Sequence, residues 1–322
     1  VIALVTTLVL FVDGLAEGLG SGNIELLQKL GGELVLFQEN VDLSASASQI
    51  SRSKLNEIKR IDGVTDAGLV GLSNASIVFE GTDGEPLDIS LVGVEPGKPG
   101  EPIAYTGGGL KGRRGDEAII GKNVALRAGL DVGDEFTVKS IQGTDDEFYT
   151  LEVAGISDGQ QYFLRPSVFV PYLTWDKIKP KGFVENDDQS ELIFNLASVK
   201  LDDPENLEAM AGRLEDRVSK VEAVDRKTAY EASPGYSEQQ STLNTVRIFT
   251  LLIGILVIGG FFQIQTLQKV GQIGMLKAIG AATGTIAIAF IFQIIYITLF
   301  GVLIGSAGTL ALSLTFPVTV PI

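Results

Sequence analysis

LNTVRIFTLLIGILVIGGFFQIQTL (Leu243–Leu267), QKVGQIGMLKAIGAATG (Gln268–Gly284) and TIAIAFIFQIIYITLFGVLIGSAGTLAL (Thr285–Leu312) follow one another without interruption and decide the architecture. The outer two stretches are 25 and 28 residues long. About 20 apolar residues suffice to cross a bilayer's hydrocarbon core, so both read as transmembrane helices. From Gln239 to Ile322 there is no Asp or Glu, and the connection carries only Lys269 and Lys277. Lysines in a short inter-helix connection place it on the cytoplasmic side.

The charge distribution works outward from there. The chain has 25 Lys+Arg and 40 Asp+Glu, a net of −15. Residues 1–12 are uncharged and 239–322 carry only Arg247, Lys269 and Lys277, which leaves all 40 acids in 13–238. An acidic, soluble-looking block on the far side of a membrane does not suit nucleic acid, whose phosphates need a Lys/Arg surplus. Val1–Val12 (VIALVTTLVLFV) is apolar up to Asp13-Gly14. At about 1.5 Å per residue it is too short to span, and it reads as the outer part of a first transmembrane helix ending at that dipeptide.

The middle block reads as mixed α and β. Expected helices are Asn23–Leu30, Gln49–Ile61 and Asn123–Ala128, the last stopped by Gly129. A fourth helix, Pro204–Val218, has Asp202 or Asp203 as cap and Leu207, Met210, Leu214 and Val218 on one face. Expected strands are Glu33–Gln38, Val64–Leu72, Ala75–Glu80, Leu87–Val94, Ala118–Ile120, Glu135–Ser140, Phe148–Ile156, Val168–Tyr172, Glu191–Lys200 and Val221–Asp225. A hairpin-like turn is expected at Gly81–Gly84, and Glu95–Gly115 reads as loop.

Several chemistries are excluded. No Cys and no His means no disulfide framework, no thiolate or imidazole metal site and no Ser–His or Cys–His nucleophile. Gly107–Gly112 matches G-x-G-x-x-G but runs into Arg113-Arg114-Gly115-Asp116 instead of an apolar helix. Gly115 to Gly121-Lys122-Asn123 is one residue too long for a phosphate loop and lacks its Ser/Thr. No ionisable residue sits at mid-membrane depth, which disfavours an ion-coupled carrier. Gly254, Gly259, Gly260, Gly301 and Gly305 are candidate helix-packing positions, because small residues let backbones approach closely in lipid. Tyr105, Tyr162, Phe163, Trp175 and Phe183 are candidates for a contact surface or for core.

The order of one span, a large outer domain and closely spaced spans joined by Ile273–Gly280 (IGMLKAIG) resembles the permease subunit of the MacB/FtsX/LolC superfamily of ABC transporters, the mechanotransmission or type VII class. Gly121–Asp134 (GKNVALRAGLDVGD) is similar to a recurrent segment of that family's periplasmic core domain. Where family members often have an acidic residue before the Ile-Gly, this chain has Gly271-Gln272.

The resemblance implies an α+β membrane protein with transmembrane helices and a large extracytoplasmic mixed α/β domain. In this reading 1–12 is a partial first span, 13–32 an outer stalk and 33–228 the outer domain. The return stalk is 229–242, the second span 243–267, the cytoplasmic coupling helix 268–284, the third span 285–312, and 313–322 an outer loop before a fourth span. The family implies residence in the cell (inner) membrane, multi-pass, with a separate cytoplasmic ABC ATPase that binds ATP and Mg, so this chain itself needs no cofactor and is not an enzyme. It further implies a second permease subunit, identical or closely paralogous, and leaves room for an extracytoplasmic adaptor or enzyme.

Ile273, Gly274, Met275, Leu276, Lys277, Ala278 and Ile279 are the expected ATPase-coupling residues, with Ile273, Leu276 and Ile279 on one side and Lys269 and Lys277 as solvated anchors. A helix of that kind seats in a partner's groove, or lies among lipid headgroups. Two functions stay open beside export: an FtsX-like signal transducer that activates an extracytoplasmic enzyme, and a membrane-anchored binding protein without an ATPase.

Overall fold

The computed structural model describes residues 1–22, 24–79, 85–181 and 191–313. The expected turn at Gly81–Gly84, the aromatic Phe183 and nearly all of the 313–322 loop lie outside them. The chain divides into two compact units, one of Gly20–Ser237 and one of Val1–Leu19 with Glu238–Ile322.

The elements in chain order are α1 (Ile2–Gly22), α2 (Glu25–Gln28), β1 (Leu34–Gln38), β2 (Ile50–Ser51), α3 (Arg52–Ile58), β3 (Val64–Val78), β4 (Leu87–Val94), β5 (Ala104–Gly107) and β6 (Glu117–Gly121). Next come α4 (Lys122–Ala128), β7 (Glu135–Gln142), β8 (Asp145–Ser157), β9 (Gln161–Tyr162), β10 (Arg165–Pro171), α5 (Tyr172–Ile178), β11 (Ile193–Phe194) and β12 (Leu196–Leu201). The series ends with α6 (Leu207–Arg217), β13 (Val221–Asp225), α7 (Arg226–Glu231), α8 (Tyr236–Gln268), α9 (Val270–Ala278) and α10 (Thr283–Ser313).

In the outer unit the strands run β13-β1-β12-β3-β4-β10-β6-β8-β5, and β7 pairs with both β3 and β8. That double pairing closes β3-β4-β10-β6-β8-β7 into a ring, which leaves these six strands without a free edge along the closure. Two of its pairs, β4–β10 and β6–β8, are parallel, and the others are antiparallel. β3 belongs to two neighbourhoods. Its first half, Val64–Val70, pairs with β12, and Val70–Ile77 pairs with β4.

Alternation along the strands sorts the core into two clusters. Val168 and Val170 of β10 join Ile89, Leu91, Ile120 and Val138 on one face. Phe169 between them joins Val92, Ile119 and Tyr162 on the other, where Leu26, Leu27 and Leu30 of the α2 region cover it. β10 is therefore buried on both faces, which is why its central part, Val168–Pro171 (VFVP), is apolar without alternation. Trp175, the chain's single tryptophan, packs in the first cluster against Gly71 and Gly93, where an added Cβ would overlap its ring. Its indole stacks on Phe194 at 5.6 Å, and its Nε1 donates to Ser73 Oγ at 3.0 Å.

Several expectations need correction. The first helix does not end at Asp13-Gly14 but runs to Gly22. The expected Val64–Leu72 and Ala75–Glu80 strands are one, Val64–Val78, because Ser73 satisfies the Trp175 N–H and the polar Ser73-Asn74 pair stays in register opposite Ser90 and Leu91. The Glu191–Lys200 strand is split: Asn195 leaves the ladder to accept from Leu72 N (2.6 Å) and donate to Ala45 O (2.8 Å). α6 starts at Leu207 instead of Pro204, because the Asp203 side chain takes Glu205 N into a local turn and neither expected aspartate caps the helix. The Glu95–Gly115 stretch, read as loop, contains β5.

Of the candidate contact aromatics, Trp175 and Tyr162 are core, whereas Tyr105 and Phe163 are exposed. Gly129 ends α4 with φ +66°, the left-handed C-cap its sequence promised.

Candidate functional site

Among the described residues, the membrane-type unit contains two helices long and apolar enough to cross a bilayer, α8 and α10. α1 packs on them through small residues. An added Cβ at Gly301 would lie 2.5 Å from Ile2 Cγ2, and one at Gly305 would lie 2.6 Å from Thr6 Cβ. Gly254 faces Val5 and Val9 at ordinary contact distance. Thr7 Oγ1 lies 3.0 Å from both Ala3 O and Gly305 O, tying α1 to α10 through a backbone carbonyl. At Gly259 and Gly260 nothing lies within 4 Å, so these two pack against no neighbour among the described residues.

Arg247, the only charge in the apolar stretch Leu243–Leu267 of α8, is not left alone. Its Nε donates to Asp13, and its Nη2 lies 3.6 Å from Glu17 Oε2, both on α1. Sequence reasoning missed this pair. The available signal was a lone arginine entering one apolar helix and a lone aspartate leaving another, since charges at membrane depth are expected to find each other.

Between α8 and α10 the connection folds as α9, and no residue of it is buried. Met275 and Ile279 are 70% and 78% exposed, Val270, Leu276 and Lys277 are exposed too, and Ile273 is half-buried. The expected one-sided amphipathic pattern is not what forms. Lys277 falls one turn from Ile273, on the same side; Val270 extends the slanting Ile273–Leu276–Ile279 row by one step and Met275 lies beyond it, so apolar groups occupy most of the circumference. Nor is Lys269 a solvated anchor. Its Nζ donates to Gln293 Oε1 of α10 at 2.8 Å and lies 5.5 Å from the Phe290 ring. Lys277 alone remains as the exposed cation of this helix.

In the outer unit neither glycine-rich stretch forms a phosphate loop. Gly107 ends β5, and the segment after it runs into strand β6, not a helix. Gly121 is the last residue of β6, Lys122 the first of α4, and the Lys122 ammonium is taken by Asp158 at 2.7 Å. A groove of about 670 Å³ is lined by Arg114, Phe148, Tyr149, Asp176, Lys177 and Lys181 among others. There burial, together with the hydrogen bond to Glu147, pushes the Tyr149 phenol up to about 12. No cluster of three or more His, Cys, Asp or Glu residues with metal-holding geometry occurs among the described residues.

Comparison with known proteins agrees with this division. The MacB-like periplasmic core domain family matches residues 1–217, and the FtsX-like permease C-terminal family matches residues 244–321. Two relatives provisionally named hemin transport system permease protein HrtB cover all of this chain. The one from Staphylococcus haemolyticus is 25% identical, the one from Staphylococcus epidermidis 26%, and the chain covers 82% of each. The extracellular domain of the noncanonic ABC-type transporter YknZ from Gram-positive bacteria is similar over 60% of this chain and all of that one, at 16% identity and a TM-score of 0.42. The periplasmic region of MacB from Actinobacillus actinomycetemcomitans matches 63% of this chain and 92% of its own length, at 13% identity and a TM-score of 0.42. With both halves accounted for, the chain belongs to the MacB/FtsX superfamily of ABC-transporter permeases.

Proposed function

We propose that this permease converts ATP binding and hydrolysis by a separate cytoplasmic ATPase into movement of its outer domain, and that the movement drives export or release of a substrate. The observation that carries the reading is α9. It is a nine-residue helix held between two long apolar helices, and it leaves Met275, Leu276 and, at its C-cap, Ile279 exposed among the described residues. A helix so short and so tethered moves only with the helices it joins. The coupling residues are Ile273, Gly274, Met275, Leu276, Lys277, Ala278 and Ile279. ATP and Mg belong to the partner ATPase. A second permease subunit completes the transporter, and an extracytoplasmic adaptor or enzyme is a further partner to look for.

The names of the two staphylococcal relatives support hemin, a planar amphiphile with two carboxylates, as the first substrate to try. The mechanism needs little from polar groups inside the membrane. It needs a rigid path from α9 through the spans, which the close α1–α10 packing and the Arg247–Asp13 pair would supply.

The test is assembly. Wild-type permease, purified from native membranes in mild detergent, is expected to bring down a stoichiometric ATPase. Leu276→Asp and Ile279→Asp, at exposed positions where a charge leaves folding intact, are expected to lose it. Normal ATPase recovery with both variants would sink the coupling assignment, and absence of any ATPase from the wild type would sink the transporter reading.

A further inference from the structure

The turn joining β9 to β10 is built against its own chemistry. Tyr162 pairs with Arg165, so Phe163 and Leu164 form a two-residue loop, and both have positive φ, +50° and +60°. Hairpin loops with two positive φ angles favour Asn-Gly, and bulky side chains are strongly disfavoured there. Such a conformation persists only where the surroundings over-determine it.

The surroundings are the first stalk. Leu164 N donates to the carbonyl of Gly22, the last residue of α1, at 3.1 Å. A Cβ on Gly22 would sit 2.9 Å from both Leu164 Cδ2 and Gln161 Oε1, so a larger residue at the helix end would have to push those two side-chain ends aside. One step along, Gln161 N donates to Glu25 Oε2 at 3.2 Å. At the far end of α2, Lys29 Nζ donates to Glu25 Oε1 (2.7 Å), Asp158 Oδ2 (2.8 Å) and the Gly159 carbonyl (2.6 Å). Asp158 is held from behind by Lys122 at 2.7 Å. The hydrogen bonds from Lys122 and Lys29 keep its carboxyl well below the usual carboxylate range.

Beneath these polar contacts Leu26, Leu27 and Leu30 pack with Phe169 and Tyr162. The segment making the contacts, Asp158–Leu164, joins β8 to β10, and Ser90 of β4 donates to the Tyr162 carbonyl at 3.1 Å. One short segment thus connects the end of the first helix to three strands of the closed ring.

We infer that Asp158–Leu164 is the grip by which the first helix moves the outer domain, and that it stays closed throughout the ATPase cycle. This deepens the proposed coupling function and rests on it. Lys29, Asp158, Gln161 and Leu164 are positioning residues. They touch neither substrate nor nucleotide and act by keeping stalk and ring in one body.

The experiment uses the full chain with its ATPase in a lipid nanodisc. A donor–acceptor dye pair is carried on clickable non-natural residues at Ile103, 89% exposed, and Ser241, also exposed. In the wild type, ATP with vanadate is expected to change energy transfer. In Lys29→Met/Asp158→Asn the change is expected to vanish while ATP hydrolysis continues. In Lys139→Met/Asp146→Asn, which removes a comparable 2.9 Å ion pair on the β7–β8 hairpin, the change is expected to persist.

Adding Gly22→Cys/Leu164→Cys to the loosened variant then supplies a covalent grip. The Leu164 N–H bonds to the Gly22 carbonyl and a Cβ on Gly22 would touch the Leu164 side chain, the close approach a disulfide needs, and the chain has no other cysteine. Oxidation is expected to restore the change and reductant to abolish it again, a reversal that a merely folding-related role would not give. A full response in Lys29→Met/Asp158→Asn overturns the grip while leaving the coupling function standing. So does loss of the response when the disulfide is formed in the otherwise wild-type chain, since the contact would then have to open. No response in the wild type removes the coupling function and the grip together.

Discussion

The Tyr149 hydroxyl donates to Glu147 Oε2 at 2.5 Å, with Lys177 Nζ 5.2 Å from its ring. Burial and that hydrogen bond both favour the neutral phenol and raise its pKa to about 12. An unfolded chain titrates a tyrosine near pH 10, so above that pH the folded state holds a proton the unfolded state has lost. The stabilisation is complete below about pH 10 and disappears as pH rises from there toward about 12. An absorbance titration at 295 nm, taken as the difference between wild type and Tyr149→Phe, is expected to show the late midpoint, and Glu147→Gln to bring it down. A midpoint at the ordinary value in the wild type would mean the hydrogen bond does not form in solution. None of this was readable beforehand, because Glu147 and Tyr149 are two apart on one strand, a spacing shared by countless exposed pairs. Arg247 differs. Its isolation in an apolar run announced a partner, and only the partner's identity, Asp13 on another helix, required the fold.

Among elements, length governed what could be read. α8, α10 and the strands of five or more residues have enough period to declare themselves, whereas β2, β9 and β11, at two residues each, have none. The packing glycines show the same limit from another side. A small-xxx-small pattern says that close approach is possible but not where a neighbour stands. Gly301 and Gly305 meet α1, and Gly259 and Gly260 meet nothing within 4 Å among the described residues.

The contrast gives a paired test. Gly305→Leu must drive a branched side chain into Thr6 and Ala3, and overpacking of this kind costs about 1–3 kcal/mol or forces the helices apart. Gly259→Leu has open space and, with Leu favoured over Gly in a helix by roughly 1 kcal/mol, is expected to be neutral or slightly stabilising. Thermal unfolding of the two variants in detergent reads the difference directly. Equal melting temperatures would show that α1 does not pack on α10 as described. The α9 helix itself was legible as an element but not as a surface, since its apolar groups spread around the axis once Val270 and Met275 are counted with Ile273, Leu276 and Ile279.

At the scale of the whole molecule, the membrane-spanning part and the acidic outer part follow from charge and hydropathy alone. The closed ring does not, because the β3–β7 pairing that completes it joins residues 76–78 to 137–139, with no local pattern to mark either as a partner. The contacts between Asp158–Leu164 and the end of α1 and α2 were equally hidden. Lys29 and Asp158 are 129 positions apart, and a charge in an acidic domain gives no hint of its partner.

β3 has a further consequence, for the way the outer domain comes apart. Val70 is a register partner of Leu196 on one side and of Val94 on the other, so the same backbone segment completes both halves of the sheet. Neither half can melt while the other keeps its strand, and the two are expected to open as one cooperative unit. Native-state amide exchange in increasing urea is the measure. Amides of Val64–Gly68 and of Ala75–Ile77 are expected to converge on one opening free energy and one denaturant slope. A separate, cheaper opening for the first group would show two foldons meeting at a seam. A single cooperative body is also what a lever requires, for a strain applied at one edge of a molecule that opens piecemeal is spent in local melting before it reaches the other.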